Sequence, residues 1–192
     1  MVLPVASAVL PRTGILSWGF QRSDHLHNGV DIGAKEGAPV RAAASGRVRH
    51  ATHAWQQGFS GYGRVVVLEH PIDRVWTLYA HLGDVLVVPD QEVQAGDQIG
   101  TVGRSQFLAS DHSSMLAPGK QHLHFEVASR PYPMPNDEPR LDPVAWLEDG
   151  SRVTSDPDEL LTRLRRVSDG AEFLALIAVL GGVLWLARKK GS

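Results

Sequence analysis

The 192-residue chain is long enough for one domain with a sizeable core plus an appendage. Its 43% hydrophobic and 21% charged residues are ordinary for a globular protein, and a formal net charge of −2 removes the electrostatic case for a nucleic-acid partner. Cysteine is absent, which excludes disulfide staples and cysteine–zinc clusters and leaves His, Asp and Glu as the strong metal ligands.

Nineteen glycines and twelve prolines favour a turn-rich, mainly β chain over a helical one. Residues 1–10 are apolar but lack a basic start, and Pro4 and Pro11 interrupt them, so they make a poor secretory signal. Residues 15–20 read as a short strand ending near Arg22. In His27-Asn28-Gly29-Val30-Asp31-Ile32-Gly33 the glycines argue for tight turns, so a loop and the strand entering Ile32 can bring His27 and Asp31 together. That pair is a weak signal by itself. Residues 37–43 and 46–51 read as successive strands, 55–63 as a glycine- and aromatic-rich groove wall, and 64–70 with 75–82 as a hairpin. The second hairpin strand is expected to put the Tyr79 phenol and the His81 imidazole on one face. Residues 93–103 repeat the turn-and-strand flavour of 37–46, a weak sign of internal duplication. Residues 104–120 form a polar stretch without periodicity, expected as a mobile loop.

The segment Gln121-His122-Leu123-His124-Phe125-Glu126-Val127 alternates polar and apolar residues with the period of two of a half-buried strand. His122 and His124 therefore project from one face, roughly 6–7 Å apart along the backbone. Side-by-side imidazoles over an apolar floor suit a metal ligand beside a proton-transfer group; a polar strand face with two incidental histidines fits the stretch equally well. Four prolines in 131–139 require irregular backbone, and 141–147 closes the domain with a helical turn that packs Trp146 and Leu147.

The domain thus spans 1–148, followed by a polar linker at 149–156 and a helix at 157–190 that Asp156, Pro157 and Glu159 start as a capping box. Within it, residues 173–187 are apolar and uncharged and end at Arg188, Lys189 and Lys190. That run is short for a span of about 20 residues, but snorkelling by the basic cluster extends it, so a membrane anchor with the large domain facing outward is expected. An apolar helix buried against a partner protein is the alternative.

Taken together, His27-Asn-Gly-Val-Asp31, Tyr79-Ala-His81-Leu and His122-Leu-His124-Phe-Glu resemble the lysostaphin/LytM family of zinc peptidases that cut peptidoglycan cross-bridges. The likeness covers roughly residues 17–147 and includes Gly37-Ala-Pro-Val, Tyr62-Gly63, Val93-Gln-Ala-Gly-Asp-Gln-Ile-Gly and Asp142-Pro143. It implies antiparallel β-sheets forming a groove, one zinc held by His27, Asp31 and His124, and His122 and His81 as the catalytic histidines. It also implies peptidoglycan peptide stems as substrate. Three protein ligands leave a fourth position open, as catalytic zinc sites do. Tyr79 is either an extra donor to an oxyanion or a packing residue, and Glu126 either orients a ligand imidazole or is a solvated carboxylate. His25 lies two before His27, but only His27 has the family's spacing to Asp31; His50, His53, His70 and His112 fall outside the motifs and read as surface or strand residues. The stretch 104–120 is longer than the family's usual turn, and Lys120-Gln121 replaces its small residue and proline.

The leading expectation is a zinc endopeptidase acting on the peptide cross-links of bacterial cell wall, either extracytoplasmic and membrane-anchored or virion-associated with virion proteins as partners. A non-catalytic relative that binds peptidoglycan or activates an amidase ranks second, because such relatives typically lose ligands that are all present here. A biotinyl- or lipoyl-carrier domain, suggested by 93–100, lacks the lysine it would need at a hairpin tip.

Overall fold

Alternation along the strands decides the architecture. The computed structural model describes residues 2–5, 18–19, 21, 26–52, 59, 61–107, 114–115, 119–135, 138 and 140–149. The chain divides into two units, 1–153 and 154–192, and the fold is that of the first. The capped helix and the apolar 173–187 run lie outside the described residues, as do His25, His53 and His112. Among the described residues no helix is long and apolar enough to cross a membrane.

Among the described residues, eleven strands and one helix follow in order: β1 (Val30–Gly33), β2 (Pro39–Arg41), β3 (Gly46–Thr52), β4 (Val65–His70), β5 (Val75–Ala80), β6 (Leu82–Val85), β7 (Glu92–Val93), β8 (Gln98–Val102), β9 (Ser105–Phe107), β10 (Ser114–Met115), β11 (His122–Ala128) and α1 (Pro143–Asp149). A six-stranded sheet runs β1-β11-β5-β4-β3-β7, a three-stranded sheet β2-β8-β6, and β9 pairs with β10. Every pairing is antiparallel. The two turn-and-strand units meet: β2 pairs with β8 and β3 with β7.

Both faces of the large sheet are covered. In β4, Val66 and Leu68 join the main core with Ile32, Ile99, Leu123 and Phe125, while Val65 and Val67 turn to a second cluster with Phe59, Leu78 and Tyr132. Full burial of such an aliphatic side chain contributes about 1.5–3 kcal/mol, so a strand buried on both faces is fixed in register. The helix closes the main core as expected. Asp142 Oδ1 accepts the Val144 and Ala145 N–H groups at 2.9 and 3.3 Å, Pro143 takes the first helical position, and Val144 and Leu147 are buried.

The structure differs from the sequence expectations in three places. Trp18 and Gly19 form a turn rather than strand, with Gly19 in a left-handed conformation (φ 71°). In the polar stretch 104–120, expected as a loop, Ser105–Phe107 and Ser114–Met115 pair as β9 and β10, strands too short to show a period, while 108–113 and 116–118 lie outside the described residues. Tyr79 and His81 do not share a face. Tyr79 is fully buried in the main core, where its hydroxyl accepts the Ala43 N–H at 2.9 Å and burial pushes its pKa up to about 12. His81 follows the end of β5 with φ 60°, and that one left-handed residue breaks the alternation and swings its imidazole to the opposite side.

His70 is a core residue at the end of β4, 1% exposed. Its Nδ1–H donates to the Ser45 carbonyl at 2.9 Å and its Nε2 lies 2.8 Å from the Thr77 hydroxyl. Burial lowers its pKa from the ordinary 6.5 despite the Ser45 carbonyl and the charges of Asp73 and Glu69. The unfolded chain therefore takes up a proton near pH 6.5 that the native ring resists, so its contribution is complete above pH 6.5 and is lost as pH falls below it. Thermal unfolding at pH 7.5 and 5.5 is expected to show a smaller acid-side loss in His70→Asn than in the parent; equal losses would contradict this account.

Candidate metal centre

The site is assembled where β1 and β11 pair. Their register sets Asp31 directly opposite His124 and Gly33 opposite His122. On β11 the apolar Leu123, Phe125 and Val127 point into the main core, which turns His122, His124 and Glu126 to the other face. His27 is delivered by the loop before β1, and that loop can lie against β11 only because residue 29 is glycine. A Cβ there would fall 2.4 Å from the Phe125 carbonyl oxygen and 3.0 Å from the His124 ring.

Three donor atoms converge. His27 Nε2 lies 3.1 Å from Asp31 Oδ1 and 3.2 Å from His124 Nδ1, which is 2.9 Å from the same carboxylate oxygen. Ligands of a tetrahedral zinc at about 2.0–2.2 Å stand roughly 3.3–3.5 Å from one another, so the triangle is close to the size one such ion requires. All three side chains are buried. Two carboxylates flank the His124 ring, Asp31 at Nδ1 and Glu126 at Nε2, each at 2.9 Å. Burial works against charge on that ring, yet these hydrogen bonds and charges push its pKa up to about 9. Burial would likewise raise Asp31, but hydrogen bonds from His124 and His27 hold its carboxyl well below the usual range. A buried cluster that keeps a proton on an imidazole at neutral pH is short of positive charge, which a divalent cation supplies. Two imidazoles and one carboxylate are donors suited to zinc, and three protein ligands leave a fourth position for a substrate or water.

Two further imidazoles stand beside the triangle. The His81 ring is centred 4.9 Å from that of His122 and 5.9 Å from that of His124. His81 Nδ1–H donates to the Ser105 carbonyl at 2.7 Å, which leaves the lone pair on Nε2. Burial, with the neighbouring His124 and His122 adding to it, pushes its pKa down to about 3, so it is neutral across the physiological range. His122 Nδ1–H donates to the Lys120 carbonyl at 2.8 Å, and its Nε2 lies 3.4 Å from Asp31 Oδ1. Of the five histidines and acids that the sequence singled out, all five meet here.

At two positions the structure decides what the sequence left open. Tyr62 rather than Tyr79 is the phenol at the site; its ring is centred 5.6 Å from that of His124 and its hydroxyl donates to Glu126 Oε1 at 2.7 Å. The sequence set Tyr62 in the 55–63 groove wall and in the Tyr62-Gly63 pair without giving it a role; Gly63, left-handed, lies against the Ser105 backbone. Glu126 is not a solvated carboxylate: it is 0% exposed. Burial would raise its pKa, but the hydrogen bond and charge of His124, then Arg140 and Tyr62, bring it down to about 2.

The sequence model of peptidase family M23 matches residues 25–139, more than half of the chain. An outer membrane antigenic lipoprotein B of Haemophilus influenzae is 37% identical over 130 residues, 66% of this chain and 28% of that protein. The murein hydrolase activator NlpD of Escherichia coli is 31% identical over 124 residues, 65% of this chain and 28% of that protein. The chain therefore spans less than a third of the length of either relative. Among solved structures, the catalytic domain of the antimicrobial peptidase lysostaphin from Staphylococcus simulans aligns with a TM-score of 0.55 at 25% identity, covering 69% of this chain and 89% of that domain.

Proposed function

Since the chain belongs to peptidase family M23, we propose that it is a zinc-dependent endopeptidase that hydrolyses peptide cross-links of bacterial peptidoglycan. The observation that carries this reading is the set of five side chains at one end of β11: three buried donors within 3.2 Å of one another and two imidazoles alongside. In this reading His27, Asp31 and His124 hold the zinc. When bound there, zinc supplies Lewis acidity, polarising a carbonyl and lowering the pKa of water toward about 7.

The chain's own groups supply the rest. His122 has a side chain 19% exposed and an Nε2 on the Asp31 side, where it can take a proton from the attacking water. His81, held neutral and fixed by Ser105, offers Nε2 as an acceptor that orients the same water. Either imidazole, once protonated, can pass the proton to the departing amine, and its N–H can stabilise negative charge on the carbonyl oxygen. The names of the two relatives, an outer membrane lipoprotein and a murein hydrolase activator, support an extracytoplasmic place at the cell wall and favour a cellular role over association with virions.

The second of those names also favours an alternative, in which the domain acts by stimulating a separate murein hydrolase. Incubating purified peptidoglycan with the full chain separates the two. The expected result is release of new peptide amines by this chain alone, abolished by a chelator and restored by one equivalent of zinc. Release that requires a second hydrolase and is indifferent to the chelator would replace the endopeptidase reading with the activator one.

A further inference from the structure

The carboxylate of Glu126 is the centre of a buried network that reaches well beyond the ligands. Its Oε1 accepts from His124 Nε2–H at 2.9 Å and from the Tyr62 hydroxyl at 2.7 Å. Its Oε2 accepts from the Tyr132 hydroxyl at 2.9 Å and from Arg140 Nε–H at 2.8 Å. Four donors on two oxygens is the full capacity of a carboxylate in such a setting. Arg140, 4% exposed, is anchored in turn: its Nη1–H groups donate to the carbonyls of Glu138 at 2.8 Å and Pro135 at 3.2 Å, an Nη2–H donates to that of Met134 at 3.5 Å, and its guanidinium lies 5.3 Å from the centre of the Tyr132 ring.

From this geometry we infer that Glu126 is a positioning residue for His124, and that Arg140 is the counter-charge that holds Glu126 in place for that task. The inference rests on the reading of His27, Asp31 and His124 as a metal site. An imidazole has two nitrogens, and only the one without a proton can ligate. By taking the proton of Nε2, Glu126 leaves the lone pair on Nδ1, which is the nitrogen beside Asp31 and His27. The bond also fixes the plane of the ring, and a ligand imidazole whose other nitrogen donates to a carboxylate is the more basic for it. Arg140 makes the arrangement tolerable in a dry interior, because a buried carboxylate facing only a neutral ring and two phenols would lack a compensating charge. Met134, Pro135 and Glu138 thereby buttress the metal site through Arg140, which lies sixteen positions after the last ligand.

The test is metal affinity and ligand geometry, read without any peptide substrate. In the full chain, Glu126→Gln is expected to weaken zinc binding 10–100-fold in competition with a chromophoric chelator, the range for loss of a partner behind a ligand. The visible absorption bands of the cobalt-substituted chain should change in shape as the ring loosens. Because Glu126→Gln leaves the buried Arg140 charge unmatched and can fail to fold, the double variant Glu126→Gln, Arg140→Met removes both charges. It is expected to match the parent in circular dichroism and in its metal-free unfolding temperature, and still to bind zinc 10–100-fold more weakly. Tyr132→Phe, which touches only Oε2, is expected to stay within threefold of the parent. A folded double variant with parental zinc affinity and an unchanged cobalt spectrum would overturn the inference and leave the network a packing device. A parent chain that binds no zinc would overturn the metal reading itself, and this inference with it, whereas a parent that binds zinc without cleaving peptidoglycan would leave the inference standing.

Discussion

Asp31→Ala is expected to abolish the proposed zinc binding and the proposed peptidase activity while leaving the β-scaffold folded. Asp31 Oδ1 is the one anionic donor in the triangle and the atom on which both ligand imidazoles converge, at 3.1 and 2.9 Å. Removing a partner that merely orients a ligand weakens metal binding 10–100-fold, so deleting a ligand outright should exceed that, and the variant should lose zinc on dialysis that the parent survives. The consequence is visible in stability as well. Zinc at 100 times its dissociation constant stabilises a native chain by about 2.7 kcal/mol, and for a domain of this size about 2–4 °C of melting temperature accompanies each kcal/mol. Adding zinc should therefore raise the parent's melting temperature by roughly 5–10 °C and the variant's hardly at all. Asp31→Asn keeps an oxygen in place without its charge, and its zinc affinity should fall between the two. An Asp31→Ala chain that retains stoichiometric zinc through dialysis would remove Asp31 from the ligand set.

The sequence carried the site further than it carried the fold around it, and the reason is range. The period of two from His122 to Val127 is local, and it put His122, His124 and Glu126 on one face correctly. The glycines at 29 and 33 were read as tight turns; residue 29 is instead a close approach, where a Cβ would fall 2.4 Å from the Phe125 carbonyl oxygen, and Gly33 ends β1 with open space around it. The pairing of β1 with β11, across 93 residues from Asp31 to His124, is not a local property, and only resemblance to a family supplied it. Where alternation was carried one residue too far it failed. No feature of His81 announces that its φ is 60°, so Tyr79 was expected on the His81 face and its role stayed open between oxyanion donor and packing, while Tyr62 was read only as groove wall. Glu126 shows the same limit from another side. Its burial is produced by Tyr62, Tyr132 and Arg140, which reach it from segments without periodicity, and a carboxylate read by itself looks solvated. The β9–β10 pairing was invisible because two or three residues cannot display a period of two.

His122 and His81 should separate from the ligands by keeping the metal and losing turnover. Neither is a corner of the donor triangle: His122 Nε2 stands 3.4 Å from Asp31 Oδ1, and His81 meets the others through ring edges. His122→Ala is a mild truncation, since the residue is half-buried at the start of β11 and the Lys120 carbonyl that accepts its Nδ1–H belongs to an exposed residue. At His81 alanine would add backbone strain, because the residue sits in the left-handed region, where Asn is among the few side chains that settle readily. His81→Asn therefore removes the imidazole without disturbing the turn that also receives Tyr62 and Gly103 in backbone hydrogen bonds. Each variant is expected to bind one zinc per chain, to shift upward in melting temperature with zinc as the parent does, and to cleave peptidoglycan 10²–10⁴-fold more slowly, the usual scale for loss of a proton-transfer group. The two losses should not multiply, because the imidazoles serve one water and one leaving group as a unit. A double variant slower than either single one by the product of their effects would mean that they act in independent steps. A single variant that loses zinc in proportion to its activity would make that histidine a ligand instead.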